Sequence, residues 1–233
     1  MGEESRHMLV IMPHTGECFS CGPTVAKHIQ RGGRATMVAM CTAEWKDQTG
    51  TWAQHASGAR RAAAILGCDF EFMGFPASGA WEPDWAAIVK VAELFRRLRP
   101  DIVITMPPET MYEQPHRDHA NCHRVVYYAR DAAGRELPGI EGEPFFVNDL
   151  YFLGDGSSGD IFIDVSSVMD VARRAHEALQ YRSLLEGMHG ALPPPGGSLK
   201  RSANYQTRAG ADRQVQAFRS CYYREKTLEG FPP

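Results

Sequence analysis

The alternation of short apolar runs with helical segments along the first 130 residues is the feature that most restricts the fold. The apolar runs are of strand length, and the segments between them have helical periodicity. Because these runs are continuous, each strand is expected to be covered on both faces. Strands that alternate with helices form right-handed βαβ units in a mostly parallel sheet. The sequence therefore predicts an α/β protein with a Rossmann-like three-layer fold.

Glycine and proline mark the ends of most of these elements. The predicted strands of the first half are His7–Met12, Arg34–Cys41, Asp69–Met73 and Asp101–Thr105. The predicted helices are Gly22–Arg31, Thr51–Leu66, Asp84–Leu98 and Asp118–Ala133.

The second half of the chain is less regular. Its predicted elements are two strands that form a hairpin, Leu150–Leu153 and Asp160–Val165, and two helices, Val168 to about Leu185 and about Ala209 to Tyr222. Residues 191–206 are rich in proline and glycine, which disfavour helices and inner strands, so we predict a mobile surface loop there. Too little chain follows this loop to form a second domain. We expect residues 1–233 to form one domain.

Composition narrows the classes of protein to consider. A formal net charge of −3 argues against a nucleic-acid partner, which usually meets a basic surface. No apolar run approaches the roughly 20 residues that span a bilayer, and the polar amino terminus lacks a signal-peptide core. A cytoplasmic protein is the expectation. In that compartment the 6 cysteines are expected to be reduced.

Residues able to carry chemistry concentrate in two loops that follow predicted strands. His14 and Glu17 come directly after the first strand. His116, Asp118 and His119 stand where the loop after the fourth strand enters a helix. Because ligands bind at the carboxyl ends of strands in an open parallel sheet, both loops are expected at one edge.

These residue types favour a metal site. His14, Glu17 and His119 form a set of two histidines and one carboxylate, which is typical of catalytic zinc sites that keep a position open for water. Asp118 is placed to accept a hydrogen bond from a histidine ring. Another divalent metal would suit the same set. The alternative is that each loop is a polar turn with surface histidines.

Cys18 and Cys21 form a Cys-x-x-Cys pair beside the first loop. At a helix start such a pair can have a lowered thiol pKa, which would favour a redox role. Two small buried side chains that pack a tight turn are the alternative interpretation.

The two loops resemble the motifs of the LmbE/PIG-L family of zinc-dependent N-deacetylases. The family's first motif reads His-Pro-Asp-Asp-Glu and its second reads His-Pro-Asp-His. This chain has His14-Thr-Gly-Glu17 and His116-Arg-Asp-His119 at the corresponding places. Further similar segments are Arg60–Gly67, Pro100–Thr105, Phe162–Val168 and Val215–Phe218. The resemblance therefore extends, in order, over nearly the whole chain.

The resemblance implies a metal-dependent hydrolase that removes the acyl group from a small N-acyl molecule, such as an amino sugar or its conjugate. The family's metal ligands fall on His14, Glu17 and His119. The histidine that stabilises the oxyanion falls on His116, and the aspartate that orients this histidine falls on Asp118. Family precedent also favours a homo-oligomer.

One departure from the family pattern concerns the general base, because Gly16 stands at the position of the family's catalytic aspartate. Three interpretations follow. Glu17 can serve as the base while Cys18 or Cys21 becomes a ligand. A carboxylate from elsewhere can serve, and the candidates are Glu44, Asp47, Glu109 and Glu113. Alternatively the protein has lost hydrolysis and binds a metal or ligand, or catalyses a different reaction.

Four tryptophans lie in or near the loops that follow the second and third strands: Trp45, Trp52, Trp81 and Trp85. They could line a pocket for an apolar or sugar-like ligand, or they could simply pack against the core.

Overall fold

The described part of the structure, a computed structural model, comprises residues 5–42, 52–108, 116–154, 160–179 and 215–221. Its centre is a seven-stranded sheet with the order β3-β2-β1-β4-β5-β7-β6. The strands are β1 (His7–Met12), β2 (Arg34–Thr42), β3 (Asp69–Pro76), β4 (Ile102–Thr105), β5 (Asp149–Leu153), β6 (Ile161–Asp164) and β7 (Val215–Ser220). β1 to β5 pair in parallel, whereas β7 is antiparallel to both of its neighbours.

The helices form a layer on each face of the sheet. They are α1 (Thr15–Ser20), α2 (Gly22–Gln30), α3 (Trp52–Leu66), α4 (Trp85–Leu98), α5 (Arg117–Ala133) and α6 (Met169–Ala178). α2, α3 and α6 pack together, and α4 packs against α5. Right-handed crossovers place these two groups on opposite faces, because the strand order reverses at β1. The three-layer prediction is therefore confirmed.

Burial explains why the first half was predictable. Every side chain of β1 is buried, as are all but the two terminal ones of β2. Asp84, just before α4, accepts a hydrogen bond from the Ala87 backbone N–H at 2.9 Å and so caps that helix. The observed bounds of the predicted elements of this half agree to within three residues. The short helix α1 was missed, because the segment from Thr15 to Ser20 is shorter than two helical turns.

Two predictions for the second half are wrong. β5 and β6 do not form a hairpin, because β7 lies between them. Where the described residues overlap the predicted final helix they form strand β7, which pairs with β5 and β6 and in which Val215, Ala217 and Phe218 are buried. The predicted long helix from Val168 is present as α6, and its continuation lies outside the described residues together with the predicted 191–206 loop. Among the described helices, none has the length and hydrophobicity that crossing a bilayer requires.

The crossing of α3 and α6 depends on Gly58. A Cβ atom at this position would lie 2.8 Å from the Leu179 backbone oxygen, closer than packed atoms allow. Alanine in a helix interior normally stabilises by about 1 kcal/mol relative to glycine. We expect Gly58→Ala to destabilise the protein by about 1–3 kcal/mol instead, because the two helices must separate. Urea unfolding would measure this change.

The neighbouring exposed residue on α3 gives the control for this prediction. Ser57→Ala should change the free energy of unfolding by no more than about 0.5 kcal/mol. A stabilising effect of Gly58→Ala would contradict the close approach of the two helices.

Candidate metal centre

The candidate centre lies where the strand order reverses. β1 lies between β2 and β4, and the chain leaves β1 and β4 towards opposite faces of the sheet. This divergence opens a crevice at the carboxyl ends of the two strands. His14 follows β1 and precedes α1, and His116 is the N-cap residue of α5. The two loops singled out in the sequence therefore meet at one edge.

Three histidines converge in this crevice. The ring centroids of His14 and His116 are 5.4 Å apart, those of His14 and His119 are 5.8 Å apart, and those of His116 and His119 are 4.6 Å apart. One ring nitrogen of each lies within 4.8 Å of the others, close enough to share a metal ion. His116 is exposed at the mouth, whereas the side chains of His14 and His119 are each 18% exposed.

Glu17 adds a buried carboxylate to the histidines. Its Oε1 lies 3.3 Å from Nε2 of His119, and its Oε2 is buried without a hydrogen-bond partner among the described residues. Burial opposes ionisation, but the hydrogen bond from His119 and the charges of His14 and His119 outweigh it and lower the pKa of the carboxyl group. An ionised buried oxygen without a donor is the environment of a metal ligand, so the residues present fit a bound ion.

The protonation state of His14 also suits a ligand. Burial lowers the pKa of its imidazole below the ordinary value, although the carboxylates of Glu17 and Asp118 oppose this shift. Metals bind the neutral ring through a nitrogen lone pair. The His14 ring can therefore coordinate a metal ion at neutral pH.

Asp118 is held by the loop that follows β3, and the sequence did not indicate this contact. It is fully buried and accepts hydrogen bonds from the backbone N–H groups of Ser78 at 2.8 Å and Gly79 at 2.7 Å, and from the Trp81 indole at 3.1 Å. Its Oδ2 also lies 3.4 Å from Nε2 of His14. Asp118 thus connects this loop to a candidate ligand. The predicted role of Asp118 in orienting His116 stays a prediction.

The conformation of the loop explains why these donors converge. Ser78 and Gly79 both have a positive φ, of 63° and 69°, so their two N–H groups point the same way and form an anion-binding nest. One turn along α5, Asn121 donates a hydrogen bond to the Trp81 backbone oxygen at 2.7 Å. The adjacent Ser-Gly pair before a tryptophan is the only sequence signal that could have indicated this turn.

The hydrogen bond from the Trp81 indole can be tested separately from the bulk of the side chain. Trp81→Phe removes one of three close donors from a buried carboxylate, so we expect a loss of about 1–3 kcal/mol in unfolding free energy. We also expect metal affinity to fall about 10- to 100-fold, as for other outer partners of metal ligands. Isothermal titration calorimetry would measure the affinity.

Trp85→Phe is the matched control, since Trp85 is 52% exposed on α4. Equal effects of the two substitutions on metal affinity would contradict the link through Asp118.

The helices that follow His14 also form hydrogen bonds with strand β7, which is distant in the sequence. Gln216 of β7 accepts a hydrogen bond from the Thr24 backbone N–H at 3.0 Å and donates one to the Ser20 backbone oxygen. Ser20 ends α1 and Thr24 lies in the first turn of α2. Gln216 therefore holds the junction of the two helices that follow His14 and Glu17.

The redox interpretation of Cys18 and Cys21 is wrong. Both thiols are free and fully buried, and burial raises the pKa of each well above its ordinary value. The Cys18 thiol donates a hydrogen bond to the Val38 backbone oxygen at 3.3 Å. Neither cysteine belongs to a cluster of metal-ligating atoms within the described ranges. The alternative interpretation, small side chains that pack a tight turn, agrees with these contacts.

The remaining sequence candidates contribute less. The alternative bases Glu44, Asp47, Glu109 and Glu113 lie outside the described residues, as do Trp45 and the side chain of Trp52.

The sequence profile described as PIG-L, GlcNAc-PI de-N-acetylase, matches residues 9–130. The chain is also 26% identical over 185 residues to a curated protein of Thermomonospora curvata, named 1D-myo-inositol 2-acetamido-2-deoxy-alpha-D-glucopyranoside deacetylase. This match covers 65% of the chain and spans 61% of the relative's length.

Two solved structures have the same fold over nearly the full chain. The conserved protein TT1542 of Thermus thermophilus is 26% identical, with a TM-score of 0.77 and coverage of 92% of this chain and 94% of that one. GalB, the 4-carboxy-2-hydroxymuconate hydratase of Pseudomonas putida, is 19% identical, with a TM-score of 0.74 and coverage of 97% and 100%. At that identity GalB shows likeness of fold alone. The profile match includes both candidate loops and more than half of the residues, and the chain belongs to the PIG-L family.

Proposed function

We propose that the protein is a metal-dependent hydrolase that cleaves the C–N amide bond of a small N-acyl molecule. The observation that carries this proposal is the buried, unpartnered Oε2 of Glu17 beside three convergent histidines. This donor set lies at the strand-order reversal, where open α/β sheets bind their ligands.

His14, Glu17 and His119 would hold the ion. Two imidazoles and one carboxylate are the ligand types of catalytic zinc sites, so Zn²⁺ is the proposed metal. A bound ion there would polarise the amide carbonyl and lower the pKa of a water molecule to about 7.

The other groups of the crevice would handle protons and charge. His116 is exposed at the mouth and lies next to His119, so its ring can meet a substrate that enters from solvent. We assign to it stabilisation of the oxyanion and donation of a proton to the departing amine. Asp118 would orient the histidine rings of the crevice. Gly16 offers no carboxylate for the role of base, and a Glu17 that holds the ion could accept a proton only through the oxygen that does not bind the ion.

The substrate class proposed is an N-acetylated amino sugar or its conjugate. The named activity of the Thermomonospora curvata relative supports this class. We further propose that the protein acts in the cytoplasm on small molecules, as a homo-oligomer.

Release of acetate from a panel of N-acetyl amino sugars, with and without added Zn²⁺, tests the reaction. We expect turnover that a chelator abolishes and that His119→Ala lowers at least 10³-fold, since it removes a ligand. Arg124→Ala, on the exposed face of the same helix, serves as the control. The absence of turnover on every acyl amide by the metal-loaded protein would reject hydrolysis.

A second candidate is addition of water to a carbon–carbon double bond. Gly16 favours it, because the family's base for amide hydrolysis is missing. GalB, named as a hydratase, has the same fold over 97% of this chain. Loss of the ultraviolet absorbance of a conjugated dicarboxylic acid, without acetate release from amides, would favour hydration over hydrolysis.

A further inference from the structure

A second set of metal-binding atoms lies behind His14, and we call it the inner site. It comprises a ring nitrogen of His14, the Cys41 sulfur and a carboxylate oxygen of Asp118, all within 4.8 Å of one another. Cys41 lies near the end of β2 and is 3% exposed, and Asp118 is fully buried. We propose that the inner site binds a thiophilic divalent ion such as Zn²⁺ or Cd²⁺. This inference does not depend on the reaction proposed above.

The ligand types determine which ions suit the inner site. Thiolate sulfur prefers soft or borderline ions, whereas Mg²⁺ and Ca²⁺ prefer oxygen. The outer set of His14, Glu17 and His119 contains no sulfur. The two sites therefore differ in their preference, with the softer ion favoured at the inner one.

The contacts of Asp118 leave it able to coordinate. Its Oδ2 receives one close hydrogen bond, from the Ser78 backbone, and lies 3.4 Å from Nε2 of His14. That distance exceeds the usual 2.7–3.2 Å of an N–H···O hydrogen bond. Since an ionised carboxylate has about four lone-pair positions, Oδ2 keeps a free one.

The hydrogen-bond donors of Asp118 are a second, independent observation. Its three close donors are two backbone N–H groups and an indole, all of which are neutral. These donors hold the carboxyl group in place and leave one side of Oδ2 towards His14 and the Cys41 sulfur, where an ion would meet all three ligand atoms. On binding, the Cys41 thiol loses its proton to solvent and the sulfur–metal bond forms.

His14 belongs to both sets of ligands. An ion in the inner site therefore competes with an ion in the outer set for the same ring. The nest at Ser78 and Gly79 fixes Asp118 whether or not an ion is bound, so the inner site needs little rearrangement.

Titration of the metal-free protein with Cd²⁺, followed by the ultraviolet charge-transfer band of cadmium thiolate, tests the inner site. We expect the band to grow up to one equivalent in the parent protein and in His119→Ala, which disables the outer set. The band should be absent in Cys41→Ser. Cys122→Ser is the matched control, because Cys122 is buried like Cys41, and Thr105 and the Ile11 backbone can bond its replacement hydroxyl.

The ¹¹³Cd NMR shift of the parent protein gives a measurement that needs no variant, since sulfur ligation moves the resonance far downfield of nitrogen and oxygen ligation. A shift in the sulfur range would support the inner site even if Cys41→Ser does not fold. Cadmium bound with only nitrogen and oxygen ligands, or a thiolate band that persists in Cys41→Ser, would overturn the proposal.

Discussion

A Gly16→Asp variant should hydrolyse N-acetyl amino sugars about 10²- to 10⁴-fold faster than the parent protein, the usual contribution of a general base. Gly16 lies in the first turn of α1 between His14 and Glu17, where the family places its catalytic aspartate. Its φ is not positive, so an aspartate can adopt the same backbone conformation. The carboxylate would also suit the positive end of a helix. Initial rates of acetate release on the zinc-loaded proteins would measure the gain.

Gly16→Asn is the matched control, because it has the same shape without a basic oxygen. An equal gain in both variants would show that packing, and not proton transfer, limits the parent protein. If neither variant gains while the parent hydrates a conjugated acid, the site has been adapted to another reaction.

A Glu17→Gln variant should lose the stabilisation that zinc gives to the parent protein. At a zinc concentration 100 times the parent Kd, the parent should gain about 2.7 kcal/mol of unfolding free energy. If the substitution weakens binding 100-fold, the variant gains about 0.4 kcal/mol under the same conditions. The physical reason is the buried Oε2, which no described side chain or backbone group satisfies. Thermal unfolding with and without zinc would measure both gains.

Glu82→Gln is the control for Glu17→Gln. Glu82 is a carboxylate whose side chain is 68% exposed and pairs with Arg117, at the start of α5. Its substitution should leave the zinc-dependent gain unchanged. A Glu17→Gln protein that zinc stabilises as strongly as the parent would remove Glu17 from the ligand set.

The sequence was sufficient to place both loops at one edge, because two physical rules act locally. Continuous apolar runs such as His7–Met12 require burial on both faces, and the strand–helix alternation then imposes parallel pairing. Parallel pairing brings the residues after β1 and β4 together. The convergence of His14 with His119 could therefore be expected without a structure.

The contacts of Asp118 could not be predicted in the same way. Its donors Ser78, Gly79 and Trp81 are 37 to 40 positions away in the chain. They meet it only because a turn with two positive φ values follows β3. No sequence motif singled out Cys41. Its proximity to Asp118 depends on how β2 and α5 pack. Such contacts follow from tertiary packing and not from local pattern.

The misassigned strand β7 shows tertiary context overriding local preference. Its sequence permits a helix, but the sheet offers an unpaired position between β5 and β6. Backbone hydrogen bonds on both sides and burial of Phe218 favour the extended form.

The hydrogen bond that Gln216 donates to Ser20, at the end of α1, has a consequence for biosynthesis. The two bonded residues, Ser20 and Gln216, are separated by 196 positions. At a translation rate of about 5–20 residues per second, Gln216 is synthesised roughly 10–40 s after α1, so α1 lacks this hydrogen bond for that time. Until then β5 and β6 also lack their common neighbour. We therefore expect the nascent chain to capture metal poorly until Gln216 has been synthesised and β7 has formed.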